Sequence, residues 1–306
     1  MATNTKTAVK KIAGINLPVL ALLWVCVAWG STWIVSKIGL KQMPPLQMCA
    51  IRQLAGGAIW IIFFSLKKQS FPQKNQWPII LLMSLLNFVL SNGLSTWGIK
   101  YISAGLGAIL GAIFPLWIVI IYLFRGKKIA PLAVIGMVLG FGGVCIIFYD
   151  HLQDFLVPDF RFGILISIIA TITWAFGSLY TRQQMQNFNP YFGLGIQMFI
   201  SGIFLYSFSV ATGQAIPLAE IGVKSWLAIG YLVIIGSVFT FAAYLYTLKH
   251  LPIEIASIYA YINPVVAVLM STYFFDEKLT LGILAGGLVT LTGVYLVNYA
   301  IRKNKQ

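Results

Sequence analysis

Residues 100–115 read KYISAGLGAILGAIFP, and residues 249–264 read KHLPIEIASIYAYINP. Each stretch leaves a basic connector, enters an apolar run and ends on a proline, Pro115 or Pro264, at an offset of 149. After a one-residue gap, Gly136 and Gly143-Val144 match Gly286 and Gly293-Val294 at an offset of 150. Upstream, Trp29-Gly30-Ser31 aligns with Phe176-Gly177-Ser178, and Ile51-Arg52 with Ile196-Gln197. The second half of the chain echoes the first.

A helix needs about 20 apolar residues to cross the hydrocarbon layer. Ten runs meet that test, at approximately 17–38, 45–65, 78–97, 102–124, 130–149, 161–182, 190–210, 225–247, 254–275 and 280–300. Five runs fall in each copy. Five is odd, so the second copy must enter the membrane upside down relative to the first. The expected fold is therefore an all-α integral membrane protein, ten transmembrane helices forming two inverted five-helix repeats. Residues 1–15 form an N-terminal tail, 16–149 the first repeat, 150–160 a connecting loop, 161–301 the second repeat and 302–306 a C-terminal tail. Inverted repeats are the signature of secondary transporters, in which the halves exchange conformations.

Composition agrees. The chain has 306 residues, 59% apolar and only 9% charged, with a mean hydropathy of +0.87. Soluble domains carry about 25% charged residues. The net charge of +14 is spread over short caps between apolar runs. That leaves no continuous basic face for a phosphate backbone, which argues against nucleic acid. Cys26, Cys49 and Cys145 lie inside apolar runs and read as small hydrophobes. The first run is long for a signal-peptide core and reads as a first span.

Lysine and arginine counting sets the orientation. With the N-terminus inside, fourteen basic residues collect on one side, among them Lys67, Lys68, Arg125, Arg182, Lys249 and Arg302. Six collect on the other: Lys37, Lys41, Lys100, Arg161, Lys224 and Lys278. Both termini are expected in the cytoplasm and the chain in the cytoplasmic (inner) membrane, crossing it many times.

Ten spans in two five-span halves, an arginine in span 2 (Ala50-Ile-Arg52), and a proline in span 9 followed by Phe274-Phe-Asp-Glu277-Lys carry a resemblance. Together these motifs, over about residues 17–300, resemble the drug/metabolite transporter superfamily, EamA type. The resemblance implies export of amino acids, related metabolites or toxic compounds, with uptake in some members. It also marks Arg52 and Glu277 as parts of a structural motif. The first half reads Arg125-Gly-Lys127, so the acidic residue usual before the basic one survives only as Glu277.

Pro115 and Pro264 stand mid-span and free the carbonyls of Gly111 and Ala260, which makes them candidate hinge or gating residues. Span 3 carries Ser84, Asn87, Ser91 and Ser95 at helical spacing. Span 8 carries Ser237, Thr240, Tyr244 and Thr247, span 6 Thr171, Trp174, Ser178 and Thr181, and span 9 Tyr259 and Asn263. Such faces turn inward, either to hydrogen-bond a neighbouring helix or to line a solute cavity. Trp29 and Trp174 lie too deep for an interfacial belt and, with Trp117, Tyr259 and Tyr261, suit stacking or cation–π contacts. The candidate substrate-binding set is Trp29, Asn87, Ser91, Trp117, Trp174, Ser178, Thr240, Tyr244, Tyr259 and Asn263.

Arg52 has no carboxylate at depth to pair with. It can meet a substrate anion, freed carbonyls or the outer interface. Because the resembling family keeps arginine there across many substrates, a structural role is expected. The pairs Gly107/Gly111, Gly136/Gly140 and Gly282/Gly286 read as helix packing, within the bundle or across a dimer. All seven acids and both histidines lie in connectors or at span ends. Coupling through a buried carboxylate is therefore not expected, leaving facilitated export, exchange, or a proton site at Glu254 or His250. There is no catalytic or metal-ligand set and no phosphate-binding GxxxxGK[ST] motif. The expectation is a secondary transporter, not an enzyme. It needs no cofactor, its partners are a small-molecule substrate and the lipid bilayer, and it works as a monomer or homodimer. Export of an amino acid or related metabolite leads over export of cationic drugs, uptake, a channel or an intramembrane enzyme.

Overall fold

The computed structural model describes residues 11–12, 15–126, 129–149, 153–184, 188–251, 256, 259–275 and 279–303. Glu277 and Glu254 lie outside the described residues. A short antiparallel pairing, β1 (Lys11–Ile12) with β2 (Ile15–Asn16), precedes the helices.

Eight helices are long and apolar enough to cross a membrane. They are α1 (Leu17–Gly39), α2 (Pro45–Leu66), α3 (Lys74–Gly98), α4 (Ala104–Phe124), α6 (Pro158–Gln184), α7 (Pro190–Ala211), α8 (Val223–His250) and α10 (Leu281–Lys303). Two further apolar helices, α5 (Pro131–Tyr149) and α9 (Tyr259–Phe275), are shorter in their apolar part. The sequence explains the boundaries. Proline opens α2, α5, α6 and α7, where its missing N–H costs nothing. Ser103 and Asn189 accept the first free N–H groups of α4 and α7. Gly126 and Gly213, at φ +68° and +66°, turn the chain after α4 and α7.

Successive helices run up and down. At one end Lys37, near the close of α1, donates to the carbonyls of Ile99 (2.7 Å) and Ile102 (2.6 Å) beyond α3. At that same end Gln47 exchanges two hydrogen bonds with Ile216, and Ser225 donates to the Gly39 carbonyl. At the opposite end Asn189 meets Gln69, and the rings of Phe71 and Phe192 lie 5.1 Å apart. We call these the Lys37 end and the Asn189 end.

Burial is inverted relative to a water-soluble protein. Gln47, Ser201 and Ser225 are fully buried, whereas Val138, Leu227 and Leu288 are two-thirds exposed. A hydrocarbon surround makes that arrangement favourable, because apolar side chains lose nothing there and polar ones must find protein partners.

Two helix pairs pack backbone to backbone. A methyl group at Gly136 would meet the Gly293 carbonyl at 2.6 Å, and one at Gly286 would meet the Gly143 carbonyl at 2.6 Å. Between α2 and α7, a methyl group at Gly57 would meet the Gly195 carbonyl at 2.7 Å and one at Gly202 the Ala50 carbonyl at 3.0 Å. Gly107 and Gly111 do something else: they make room for the indole of Trp33, 3.0 Å from the methyl position at each.

Candidate functional site

The bundle holds a cavity of about 160 Å³. Its walls come from both halves of the chain. Trp33 and Ser36 of α1, Ser95 and Thr96 of α3, Gly107 of α4 and Ser167 of α6 carry it toward the Lys37 end. Its floor is aromatic: Trp29, Trp174, Phe241 and Tyr259, with Phe114 beside them. Arg52, Asn92, Thr171 and Asn263 complete the polar part of the lining.

A second cavity, about 40 Å³, lies nearer the Asn189 end. Met83 and Asn87 of α3, Ser178 and Thr181 of α6, Leu194 and Gln197 of α7, and Tyr244 and Leu248 of α8 line it. Trp174 and Phe241 belong to both linings. One aromatic layer therefore separates the two spaces.

That layer is tightly connected. The Trp29 ring sits 5.0 Å from Phe241, 4.9 Å from Tyr244, 5.2 Å from Tyr259 and 6.3 Å from Trp174. These spacings fall within the favourable range for tilted and edge-to-face aromatic pairs. Two hydrogen bonds pin it: Trp29 Nε1 donates to the Gly236 carbonyl (3.2 Å) and Trp174 Nε1 to the Tyr259 hydroxyl (3.3 Å). Asn263 tethers α9 to α1: with its amide in the orientation that satisfies both ends, the nitrogen donates to the carbonyls of Cys26 (2.6 Å) and Tyr259 (3.1 Å).

The backbone around the layer is unusual. Ser84–Gly93 of α3 and Leu232–Phe239 of α8 are π-helical. Such wide turns bond i to i+5, are rare, and cluster at functional sites. Side chains bond with the same step: Asn92 donates to the Asn87 carbonyl (2.8 Å) and Thr240 to the Ile235 carbonyl (2.6 Å). In α8 the Gly236 carbonyl receives Trp29, and the neighbouring Ser237 hydroxyl receives Arg52 Nε at 2.9 Å. A side chain at Gly236 would crowd the second guanidinium nitrogen, 3.1 Å from a methyl there.

The predicted residues divide among several places. Trp29, Ser91, Trp174, Tyr259 and Asn263 line the larger cavity, and Asn87, Ser178 and Tyr244 the smaller. Trp117 packs on Phe141 (5.3 Å) and lines neither. Thr240 accepts a bond from Trp24 and lies outside both linings. Tyr261 donates to the Val294 carbonyl and meets Asn298, tying α9 to α10. α4 is interrupted at Ile113, with Pro115 in the first turn of the segment beyond it. α9 runs unbroken from Tyr259 through Pro264. Arg52, read as structural, lines the larger cavity, and so do Thr32, Trp33, Asn92 and Phe241, which the sequence reading did not single out. A lone charge inside a span was the signal that could have marked Arg52 as a lining residue.

The chain matches the EamA-like transporter family over residues 16–149 and again over 161–299. It is 30% identical over 293 residues to the uncharacterized transporter YvbV of Bacillus subtilis, covering 94% of this chain and 93% of that one. It is 30% identical over 284 residues to the uncharacterized inner membrane transporter YedA of Escherichia coli, covering 90% and 91% respectively. A solved crystal structure at 15% identity superposes with a TM-score of 0.69 over 94% of this chain and 99% of that chain, a likeness of fold.

Proposed function

The chain belongs to the EamA-like transporter family, and on that premise we propose that it is a secondary transporter working by alternating access. Its solute is a small organic metabolite, an amino acid or a related compound, and the direction is export. The observation that carries this reading is the pair of cavities, lying toward opposite ends of the bundle and sharing the aromatic residues Trp174 and Phe241 between them. A carrier needs a barrier that can pass from one side of its solute to the other, whereas a channel needs a continuous path.

The reading includes ten membrane spans arranged as two inverted five-helix repeats, and the glycine contacts support it. By sequence, Gly136 corresponds to Gly286 and Gly143 to Gly293. In space the pairs cross over, Gly136 to Gly293 and Gly143 to Gly286. Reciprocal contact of this kind is what a two-fold axis produces. The Gly57–Gly195 and Ala50–Gly202 contacts repeat the crossing at the register of Ile51-Arg52 on Ile196-Gln197. The family match falling once on each half supports the same arrangement. The excess of Lys and Arg on connectors at the Asn189 end supports cytoplasmic termini in an inner membrane.

Counterflow in proteoliposomes tests the mechanism. Trapped unlabelled substrate should accelerate entry of labelled substrate; flux that neither saturates nor responds to the trapped pool would make the protein a channel. Cysteine labelling tests the topology, with Lys68 and Lys249 positions expected on the same side of the bilayer.

A further inference from the structure

The larger cavity contains one charged side chain among its described lining residues, Arg52. The residue is 92% removed from solvent exposure, with a relative accessibility of 8%. Of its five N–H donors, Nε is used by Ser237, and the hydrogen bonds of the described residues give the two terminal nitrogens no acceptor. One of them, Nη2, lies beside Thr32 at Gly236, and Thr32 and Arg52 both line the cavity. A guanidinium this far from bulk solvent, with donors left over beside a cavity, is a place that an anionic, hydrogen-bonding group would satisfy.

We propose that Arg52 is the anchor for a carboxylate, and that the transported solute is an organic monocarboxylate whose apolar body rests on the aromatic floor. This rests on the transporter reading and names its substrate class. The chemistry is specific. The terminal nitrogens form a fork that matches two carboxylate oxygens. One cation balances one negative charge; a phosphate dianion would leave excess charge in a largely apolar cavity. A cationic drug would place like charge beside Arg52. The anchor and the floor also share a support, because Gly236 holds Trp29 and Ser237 holds Arg52 on consecutive residues of the α8 π-helical segment. A solute bridging the two therefore grips the turn that fixes the layer between the cavities.

Isosteric probes test this on the purified full-length protein: 3-phenylpropionate, its amide, 3-phenylpropylamine and inorganic phosphate, each read by the shift in melting temperature. The carboxylate should stabilise the protein and the other three should not. Arg52→Gln should weaken the carboxylate's binding by about 10- to 100-fold, the loss of a charge-assisted pair. Equal stabilisation by the amide, a response to phosphate or amine without one to carboxylate, or no response to any probe overturns the proposal on the parent protein alone, even where the variant fails to fold. Unchanged carboxylate affinity in a folded Arg52→Gln variant also overturns it. Counterflow with the labelled probes separates this idea from the one beneath it. Exchange of the amine but not the carboxylate sinks the anchor and keeps the carrier. Arg52-dependent binding of carboxylate without exchange keeps the anchor and sinks the carrier.

Discussion

Arg52 and Gln197 occupy matching places, one on α2 and one on α7, and their surroundings have diverged. Arg52 meets Ser237 on the π-helical turn of α8 and borders about 160 Å³ of space. Gln197 borders about 40 Å³, and its carbonyl accepts a bond from Ser84 on the π-helical turn of α3 at 2.8 Å. The scaffold around both is alike: glycine-packed helix pair, wide turn, shared aromatic layer. The chemistry is not. On the proposed two-repeat reading the fold supplies two equivalent seats, and the proposed anionic solute fits only the one that carries Arg52.

Removing the layer that divides the two regions is the harshest way to break the comparison. Trp29→Ala deletes a buried indole with four aromatic neighbours. It should cost about 3–5 kcal/mol of stability, seen as a large fall in melting temperature, and should join the cavities. A variant as stable as the parent would mean the layer bears little of the packing.

The glycine seams come next. Gly143→Leu would drive a side chain into Thr290 and the Gly286 carbonyl and should cost about 1–3 kcal/mol or more, measured by thermal unfolding. Gly142→Leu, one residue away with nothing within 4 Å of its methyl position, should change stability little. Equal effects at both positions would show that the α5–α10 contact is not the seam described.

The hydroxyls sharpen the contrast most finely. Ser237→Ala removes a bond to Arg52 and should weaken carboxylate binding by a few-fold, in line with about 0.5–1.5 kcal/mol for one hydrogen bond. Ser84→Ala removes the bond to the backbone carbonyl of Gln197 and should leave that affinity unchanged. Trp174→Phe deletes the donor to the Tyr259 hydroxyl and should lower the melting temperature slightly, by about 1 kcal/mol of stability. Equal loss of binding in both serine variants would erase the distinction between the regions.

Depth along a helix was legible; direction around it was less so. Trp29 and Trp117 both read as candidate cavity-lining indoles, yet one floors a cavity and the other packs on Phe141. The stripe Ser84, Asn87, Ser91 and Ser95 presumes an even 3.6-residue turn. The π-helical segment from Ser84 to Gly93 breaks that register. It sends Asn87 to the smaller cavity, keeps Ser91 and Ser95 on the larger, and adds Asn92, which the stripe omits. The two prolines looked equivalent, but α4 is interrupted beside Pro115 and α9 continues through Pro264.

Hydropathy alone determined that this is a polytopic helical membrane protein, because lipid demands long apolar helices and leaves a strong linear signal; its family came from the motifs that resemble EamA-type transporters and from the match to that family. Only the tertiary structure decided that Arg52 meets a cavity and that Ser237 orients it, since residues 185 positions apart become partners only when the helices pack. A charge inside a span is visible in one dimension. Its partner is a property of three.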